Sequence, residues 1–99
     1  MRGPLFENLA VCELLKKRYN EGKDARLFFY RDKAGTEVDI VEPRGLDFYL
    51  YEVKYCDTLY SEFLNNMEEV AKTLKNVKQK TLIYNGQTIG DSVLNIRDI

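Results

Sequence analysis

The sequence predicts an α/β fold in which helices pack on a mixed central sheet. Three observations indicate this class: two helical repeats of apolar residues, short β-branched and aromatic runs between turn signals, and a helix that separates the third strand from the fourth. The predicted order is α-β-β-β-α-β-β. A chain of 99 residues has room for one domain, which we place at residues 1–99.

The first helix is predicted over residues 4–21. Pro4 suits the first helical position, and Gly22 suits the C-terminal stop. At about 100° per residue, the predicted apolar face comprises Val11, Cys12, Leu14, Leu15 and Tyr19. Glu7 projects at the edge of this face.

The strands are predicted at residues 26–31, 36–42, 48–55, 81–84 and 93–96. The first two form an antiparallel hairpin across the turn at residues 32–35, and Val38 and Ile40 are expected on one face of the second strand. The third strand has apolar residues on both faces, which is typical of a central strand. The second helix is predicted from apolar residues at three- and four-residue steps: Phe63, Met67, Val70, Leu74 and Val77.

Composition excludes several classes of function. Fifteen basic and sixteen acidic residues give a net charge of −1, so the total charge does not indicate a protein that coats nucleic acid. The absence of histidine excludes Ser-His-Asp and Cys-His nucleophiles and histidine-ligated zinc within this chain. No P-loop motif is present, so we expect no ATPase activity from these residues.

Cysteine usage indicates a reducing compartment. Cys12 and Cys56 lie in unrelated contexts without CxxC spacing, and we expect two buried free thiols. No apolar run is long enough for a signal peptide or a membrane span. We therefore expect a cytoplasmic protein that does not bind membranes.

Acidic residues recur at the ends of neighbouring predicted strands. Asp39 follows Glu37 on the second strand, and Glu52 and Lys54 leave the same face of the third strand. These charges interrupt apolar faces, where charged groups are rarely buried unless they are paired or bound to a metal. Glu52 with Lys54 is also consistent with an ordinary surface ion pair, which contributes about 0–1 kcal/mol.

Convergence of Glu7, Asp39 and Glu52 would create a need for a cation. Two like charges about 4 Å apart repel by roughly 4 kcal/mol at an effective dielectric constant of 20. Carboxylates without histidine or thiolate favour Mg²⁺ or Mn²⁺, so we expect Asp39 and Glu52, with the Val53 carbonyl as a further ligand, to hold the metal and Glu7 to complete its shell, directly or through a second water. A bound metal would activate a water, and Lys54 would orient that water or stabilise developing negative charge.

Three segments carry a family resemblance: Gly3-Pro4-Leu5-Phe6-Glu7-Asn8, the run from Phe29 to Ile40, and Tyr51-Glu52-Val53-Lys54. They resemble the C-terminal domain of unknown function that follows the ATPase module in many bacterial and archaeal AAA-type ATPases. That family is similar to the PD-(D/E)XK nuclease superfamily, which has a restriction-endonuclease-like αβββαβ core. The resemblance covers most of the chain and is strongest over residues 3–54.

The resemblance implies roles for four residues. Glu7 matches the superfamily's first-helix acid, Asp39 its second-strand acid, and Glu52 and Lys54 its (D/E)-x-K element. Val38 stands where the namesake motif has proline. Neither the ATPase module nor the winged-helix segment that usually precedes this domain is in the chain, so we expect a C-terminal fragment of a longer ATPase.

Two functions follow as expectations. The first is Mg²⁺-dependent hydrolysis of DNA phosphodiester bonds, with phosphate contacts from Lys16, Lys17, Arg31 and Lys78. The alternative interpretation is that the lysines belong to a solvated surface and that Arg31 pairs with Glu37 or Asp39. The second function is a catalytically inactive interaction or regulatory domain of the ATPase, which the near-neutral charge and the seven tyrosines favour. The expected partners are DNA and the upstream ATPase module, with homo-oligomerisation left open.

Overall fold

The helices and strands follow the predicted order. The computed structural model describes residues 2–22 and 26–99, apart from the side chains of residues 2 and 3. The elements are α1 (Arg2–Asn20), β1 (Phe28–Arg31), β2 (Glu37–Arg44), β3 (Asp47–Lys54), a 3-10 turn (Ser61–Leu64), α2 (Asn65–Thr73), β4 (Val77–Tyr84), β5 (Val93–Asn95) and a final 3-10 turn (Ile96–Asp98). The predicted class, a mixed sheet flanked by helices, is confirmed.

The sheet has five strands in the order β1-β2-β3-β4-β5. β1 pairs antiparallel with β2 and β2 pairs antiparallel with β3, whereas β4 pairs parallel with β3 and β5 pairs parallel with β4. β3 therefore lies at the centre, as its apolar faces predicted. The parallel β3–β4 pair requires the crossover through α2.

Two apolar cores lie on opposite faces of the sheet. On one face, Phe6 and Ala10 of α1 pack against Tyr51 and Val53 of β3. On the other face, α2 packs Met67 and Val70 against Leu50 of β3 and against β2. Because successive residues of β3 alternate between the two cores, both helices hold the same strand.

The predicted face of α1 is correct for Leu14, which is buried, and for Val11, which packs against the same core, but it is wrong for Cys12 and Tyr19. The buried side chains of this helix are Phe6, Ala10, Leu14 and Arg18, which recur at four-residue steps. Tyr19 is 70% exposed, and Cys12 is also exposed. Apolar residues occur nearly all round α1, so their spacing alone does not distinguish the face that meets the sheet. Glu7 is half-buried, at the edge of the buried stripe as predicted.

The C-terminal part of the predicted second helix is instead strand. α2 ends at Thr73, and Val77 begins β4, where it pairs with Phe48. Asn76, at φ 68°, adopts the left-handed conformation that a helix cannot continue through, and asparagine tolerates this conformation better than most residues. β2 also runs further than predicted, through Pro43 to Arg44.

Both cysteines are free, as expected, but neither is fully buried. Cys12 is exposed and Cys56 is half-buried, so the prediction of two buried thiols is wrong. Within residues 2–22 and 26–99, no helix has the length and apolar character needed to cross a membrane.

A buried ion cluster attaches α1 to the sheet. Glu42 of β2 is 1% exposed, and its Oε2 lies 2.7 Å from Nε of Arg18 on α1. Its Oε1 accepts hydrogen bonds from Arg44 Nη2 at 3.1 Å and from the Tyr51 hydroxyl at 2.8 Å. Burial, followed by the negative charge of Glu42, raises the pKa of Tyr51, so the hydroxyl stays protonated and donates. Two guanidinium groups thus balance the negative charge of the buried carboxylate, although Glu42 Oε2, Arg18 Nε and Nη1, and Arg44 Nε have no hydrogen-bond partner among the described residues.

The edge strand β1 is poorly covered. Phe28 and Phe29 are 55% and 59% exposed and leave opposite faces of the strand. In the described cores, α1 packs mainly on β3, and α2 packs on β2, β3 and β4. Both faces of β1 therefore present aromatic surface.

Removal of the buried acid should strongly destabilise the fold. Glu42→Ala leaves Arg18 buried with only the more distant and more exposed Glu21, 3.8 Å away, as a counter-charge, and we expect the free energy of unfolding to fall by about 3–5 kcal/mol. Urea denaturation measures this change. Glu69→Ala is the matched control because it removes an exposed pair with Lys72 and should change stability by less than about 1 kcal/mol. Equal effects of the two substitutions would contradict the assigned role of the cluster.

Candidate functional site

The site begins where β2 and β3 separate. Their regular pairing runs from Arg44 opposite Asp47 to Ile40 opposite Tyr51. Beyond that point, side-chain carboxylates take the place of main-chain acceptors. The Val53 N–H donates to Asp39 Oδ2 at 2.8 Å, and the Asp39 N–H donates to Glu52 Oε1 at 3.3 Å. The two acids are therefore fixed against both strands.

An irregularity in β2 places Asp39 at this position. Phe28 pairs with Val41 but Tyr30 pairs with Val38, so β2 has one more residue than β1 in this interval. Such a β-bulge interrupts the alternation of side chains and redirects them. As a result, Val38 packs in the α2 core and Ile40 in the α1 core, and the prediction that they share a face is wrong.

Glu52 is buried beside a second acid. Glu52 is only 4% exposed, and the pKa of its carboxyl group is raised to about 8. Burial is the largest cause, followed by the negative charge of Asp39 and a hydrogen bond between the two carboxyl groups. The hydrogen bond from the Asp39 N–H and the positive charge of Lys54 lower the pKa of Glu52. At neutral pH without a cation, the pair therefore retains a proton.

Glu7 belongs to the same electrostatic neighbourhood. Burial, followed by the charge of Asp39, raises the pKa of Glu7, while Lys54 opposes the shift. Glu7 reaches the site from α1, on the face of the sheet opposite α2. In the part of the chain that the structure describes, however, no three acidic or cysteine side chains are grouped closely enough to hold a metal ion. The close group is the pair formed by Asp39 and Glu52.

Lys54 is half-buried at the C-terminal end of β3. Its Nζ lies 5.6 Å from the centre of the Phe63 ring, which the 3-10 turn before α2 supplies. The ion pairs within 4.0 Å found among the described residues do not include Lys54 with Glu52. The burial of Glu52 also does not fit the alternative of an ordinary surface ion pair.

The four basic residues predicted to contact phosphate lie in different places. Arg31 pairs with Glu37 at 3.6 Å, as the alternative interpretation expected. Glu37 lies two residues before Asp39 on β2. Lys16 and Lys17 lie near the end of α1, which places them about 14–15 Å along the helix from Glu7. Lys78 is near the start of β4, about 20 Å along that strand from Tyr84, the residue that pairs with Lys54.

Sequence reasoning missed two features of the site. The first is the Val53 N–H, which holds Asp39, since the sequence predicts a role only for the carbonyl of Val53. The second is the Phe63 ring beside Lys54, which was counted only as a core residue of a helix. The apolar spacing gave no signal for either, because both depend on where the strands separate.

The buried acid pair should make stability fall as pH rises. The Glu52 carboxyl ionises near 4.5 in the unfolded chain and at about 8 in the folded domain, so the folded state holds an extra proton between these values. The contribution of Glu52 to the free energy of unfolding is then greatest below about pH 4.5 and is lost as the pH rises through 8. The loss is roughly 1.4 kcal/mol for each unit of the pKa difference.

Denaturation in urea at a series of pH values, with EDTA present, tests this dependence. Glu52→Gln should flatten the stability profile between pH 5 and 8 and should raise stability at the alkaline end. Glu62→Gln, at an exposed acid, is the control and should retain the slope of the unsubstituted chain. If Glu52→Gln retained the same slope, the proton would belong to another group.

Comparison with known proteins gives a family without an assigned activity. A family model described as "Domain of unknown function (DUF4143)" matches residues 2–97. This family is typically found in AAA-ATPase-associated proteins. No curated protein and no solved structure shows significant similarity to the chain.

Proposed function

The chain belongs to the family of domains of unknown function DUF4143, and from its acid pair we propose a nuclease-like domain of an AAA-type ATPase. In this proposal, Asp39 and Glu52 bind Mg²⁺ or Mn²⁺, and the domain hydrolyses phosphodiester bonds of DNA. The order of helices and strands is compatible with a restriction-endonuclease-like core. The observation that carries the proposal is the buried carboxyl pair at the separation of β2 and β3.

The donor set suits a hard divalent cation. Both acids use one oxygen for a main-chain N–H, Oδ2 of Asp39 and Oε1 of Glu52. Oδ1 and Oε2 are then the oxygens that would ligate a cation. Mg²⁺ is commonly held by one or two carboxylates and keeps several waters, so a pair of acids is sufficient. Glu7 would contribute through such a water, since it is not grouped closely with the pair.

A cation would also remove the electrostatic conflict of the pair. Without a cation, burial and the charge of Asp39 raise the pKa of Glu52. The two carboxyl groups then share one proton and do not both carry a charge at neutral pH. Binding of a dication would release that proton, because carboxylates ligate metals in the ionised form. Metal affinity should accordingly increase with pH up to about 8.

The other residues of the site have distinct tasks in hydrolysis. When bound, the cation would lower the pKa of a coordinated water and polarise a phosphate oxygen. Lys54, which is half-buried beside the Phe63 ring, would stabilise negative charge on the phosphate in the transition state. The oxygen of the attacking water forms a bond to phosphorus, and one P–O ester bond breaks. The departing ester oxygen takes up the proton that the water loses. Glu7 would hold a second water near Asp39.

Substitutions of Asp39 and Lys54 should separate metal binding from chemistry. Asp39→Asn keeps the size of the side chain but removes a charged ligand, and we expect Mn²⁺ affinity to fall more than about tenfold. Lys54→Met should leave Mn²⁺ affinity intact and reduce DNA cleavage by about 100-fold. Electron paramagnetic resonance of free Mn²⁺ measures the affinity, and a gel assay measures cleavage.

Two substitutions far from the pair serve as controls. Asp91→Asn changes an exposed acid that precedes β5, and Lys75→Met changes an exposed lysine between α2 and β4. Both should leave metal binding and cleavage unchanged. If Asp39→Asn and Lys54→Met cut DNA as well as the unsubstituted chain, the assigned roles are wrong.

A specific observation favours the second function, a catalytically inactive interaction or regulatory domain. The edge strand β1 exposes Phe28 and Phe29, and an uncovered edge strand can pair with an extended segment of another chain. In this case the nuclease-like arrangement would persist without cleavage. A folded domain that binds no Mn²⁺ and cuts no DNA would favour this function.

A further inference from the structure

A polar cavity lies on the face of the sheet that α1 covers. Its volume of about 310 Å³ is at the lower limit of ligand pockets, which suits a small molecule. Tyr49 of β3 lies in its lining, about 13 Å along the strand from Val53, whose N–H holds Asp39. The cavity is therefore separate from the acid pair. Its other polar lining residues include Lys17, Arg44, Gln79, Thr81, Asp91 and Asp98.

Charges of both signs line this cavity. Lys17 of α1 and Arg44 of β2 are basic, whereas Asp91, just before β5, and Asp98, in the final 3-10 turn, are acidic. Among the residues that the structure describes, no ion pair within 4.0 Å joins a basic member of the lining to an acidic one. Opposite charges thus share one cavity without contacting each other.

Arg44 is held at the cavity wall by two contacts. Its Nη2 donates to Glu42 Oε1 at 3.1 Å, and its guanidinium carbon lies 4.1 Å from the centre of the Tyr49 ring. A guanidinium stacked in this way presents donors at its edge that match the two oxygens of a carboxylate. Nε of Arg44 has no hydrogen-bond partner within the described part of the chain, so the protein does not use all five N–H donors of this side chain.

Gln79 holds the acidic wall of the cavity against the sheet. Its Nε2 donates to the main-chain carbonyl of Asp91 at 2.9 Å and to the Thr81 hydroxyl at 3.4 Å. Gln79 also pairs with Tyr49 across β3 and β4, whose main chains are about 4.8 Å apart. The residue that supports Arg44 and the residue that supports Asp91 are therefore neighbours in the sheet. The basic and acidic walls are both positioned before any ligand binds.

We propose that this cavity binds a small zwitterion of the amino-acid class, which carries one carboxylate and one ammonium group. The carboxylate contacts Arg44 and Lys17, and the ammonium group contacts Asp91 and Asp98. A simple anion would be repelled by the two acids, and a simple cation would be repelled by the two basic side chains. A ligand with both charges complements both walls. This proposal goes beyond the proposed function and does not depend on metal binding or DNA cleavage.

Isothermal titration calorimetry of the purified chain in EDTA tests the proposal. The probes are the standard L-amino acids and the dipeptide alanyl-alanine, which distinguish a free amino acid from a short peptide as the source of the zwitterion. We expect at least one probe to bind with a Kd below about 1 mM. The N-acetyl form of that probe lacks the ammonium charge and its amide lacks the carboxylate, so each should bind at least about tenfold more weakly.

Substitutions on each wall locate the binding. Lys17→Gln and Asp91→Asn each remove one charge at an exposed position, and each should weaken binding of the probe by about tenfold. Lys75→Gln and Glu62→Gln change exposed charges that do not line the cavity, and these matched controls should bind as the unsubstituted chain does. In ¹H–¹⁵N NMR spectra, the side-chain amide signals of Gln79 should shift when the probe binds.

The outcomes either support or overturn the zwitterion site. It is overturned if no probe binds, if the N-acetyl and amide forms bind as tightly as the free amino acid, or if Lys17→Gln and Asp91→Asn have no effect. Inorganic phosphate is a further probe, and tighter binding of phosphate than of every amino acid would indicate a simple anion site instead. Because Asp91→Asn should leave Mn²⁺ binding at the acid pair unchanged, its effect on amino-acid binding is distinguishable from a failure of the proposed function.

Discussion

The structure depends on how main-chain hydrogen bonds are satisfied along the central strand β3. Pairing with β4 continues to Lys54, whereas pairing with β2 ends at Tyr51. A buried N–H without an acceptor costs about 1–3 kcal/mol, so the gap must be filled. The carboxylates of Asp39 and Glu52 fill it. The acids are thus held by the same requirement that holds the sheet, and their position does not depend on a ligand.

The domain buries two acids and compensates them in different ways. Glu42 has two arginines and a tyrosine hydroxyl around it, so its negative charge is balanced, although its Oε2 and Arg18 Nε lack hydrogen-bond geometry. Glu52 has another acid as its neighbour, and burial opposes its charged form. The first arrangement connects α1 to the sheet. The second has no basic side chain within 4.0 Å among the described residues, and this difference separates a structural acid from a candidate site.

The sequence was sufficient for the order of helices and strands and for the pairing of Asp39 with Glu52. Strong local patterns determine both, since alternation places Glu52 on β3 and the hairpin turn places β2 beside it. The bulge at Asp39 could not be predicted, because it is defined by the partner strand and leaves no mark in the spacing. The predicted face of α1 lacks Arg18 for a related reason, since the ion pair of Arg18 with Glu42 is a tertiary contact.

The bulge also bears on the motions of the domain. It interrupts the pairing of β1, which has only the four residues Phe28–Arg31, three of them exposed. Segments with few buried contacts open at a lower free energy than the core around them. β1 is therefore the strand whose amide protons should exchange first with solvent. Because Asp39 lies in the bulge, detachment of this one strand would admit water to the acid pair while β2, β3 and β4 stay folded.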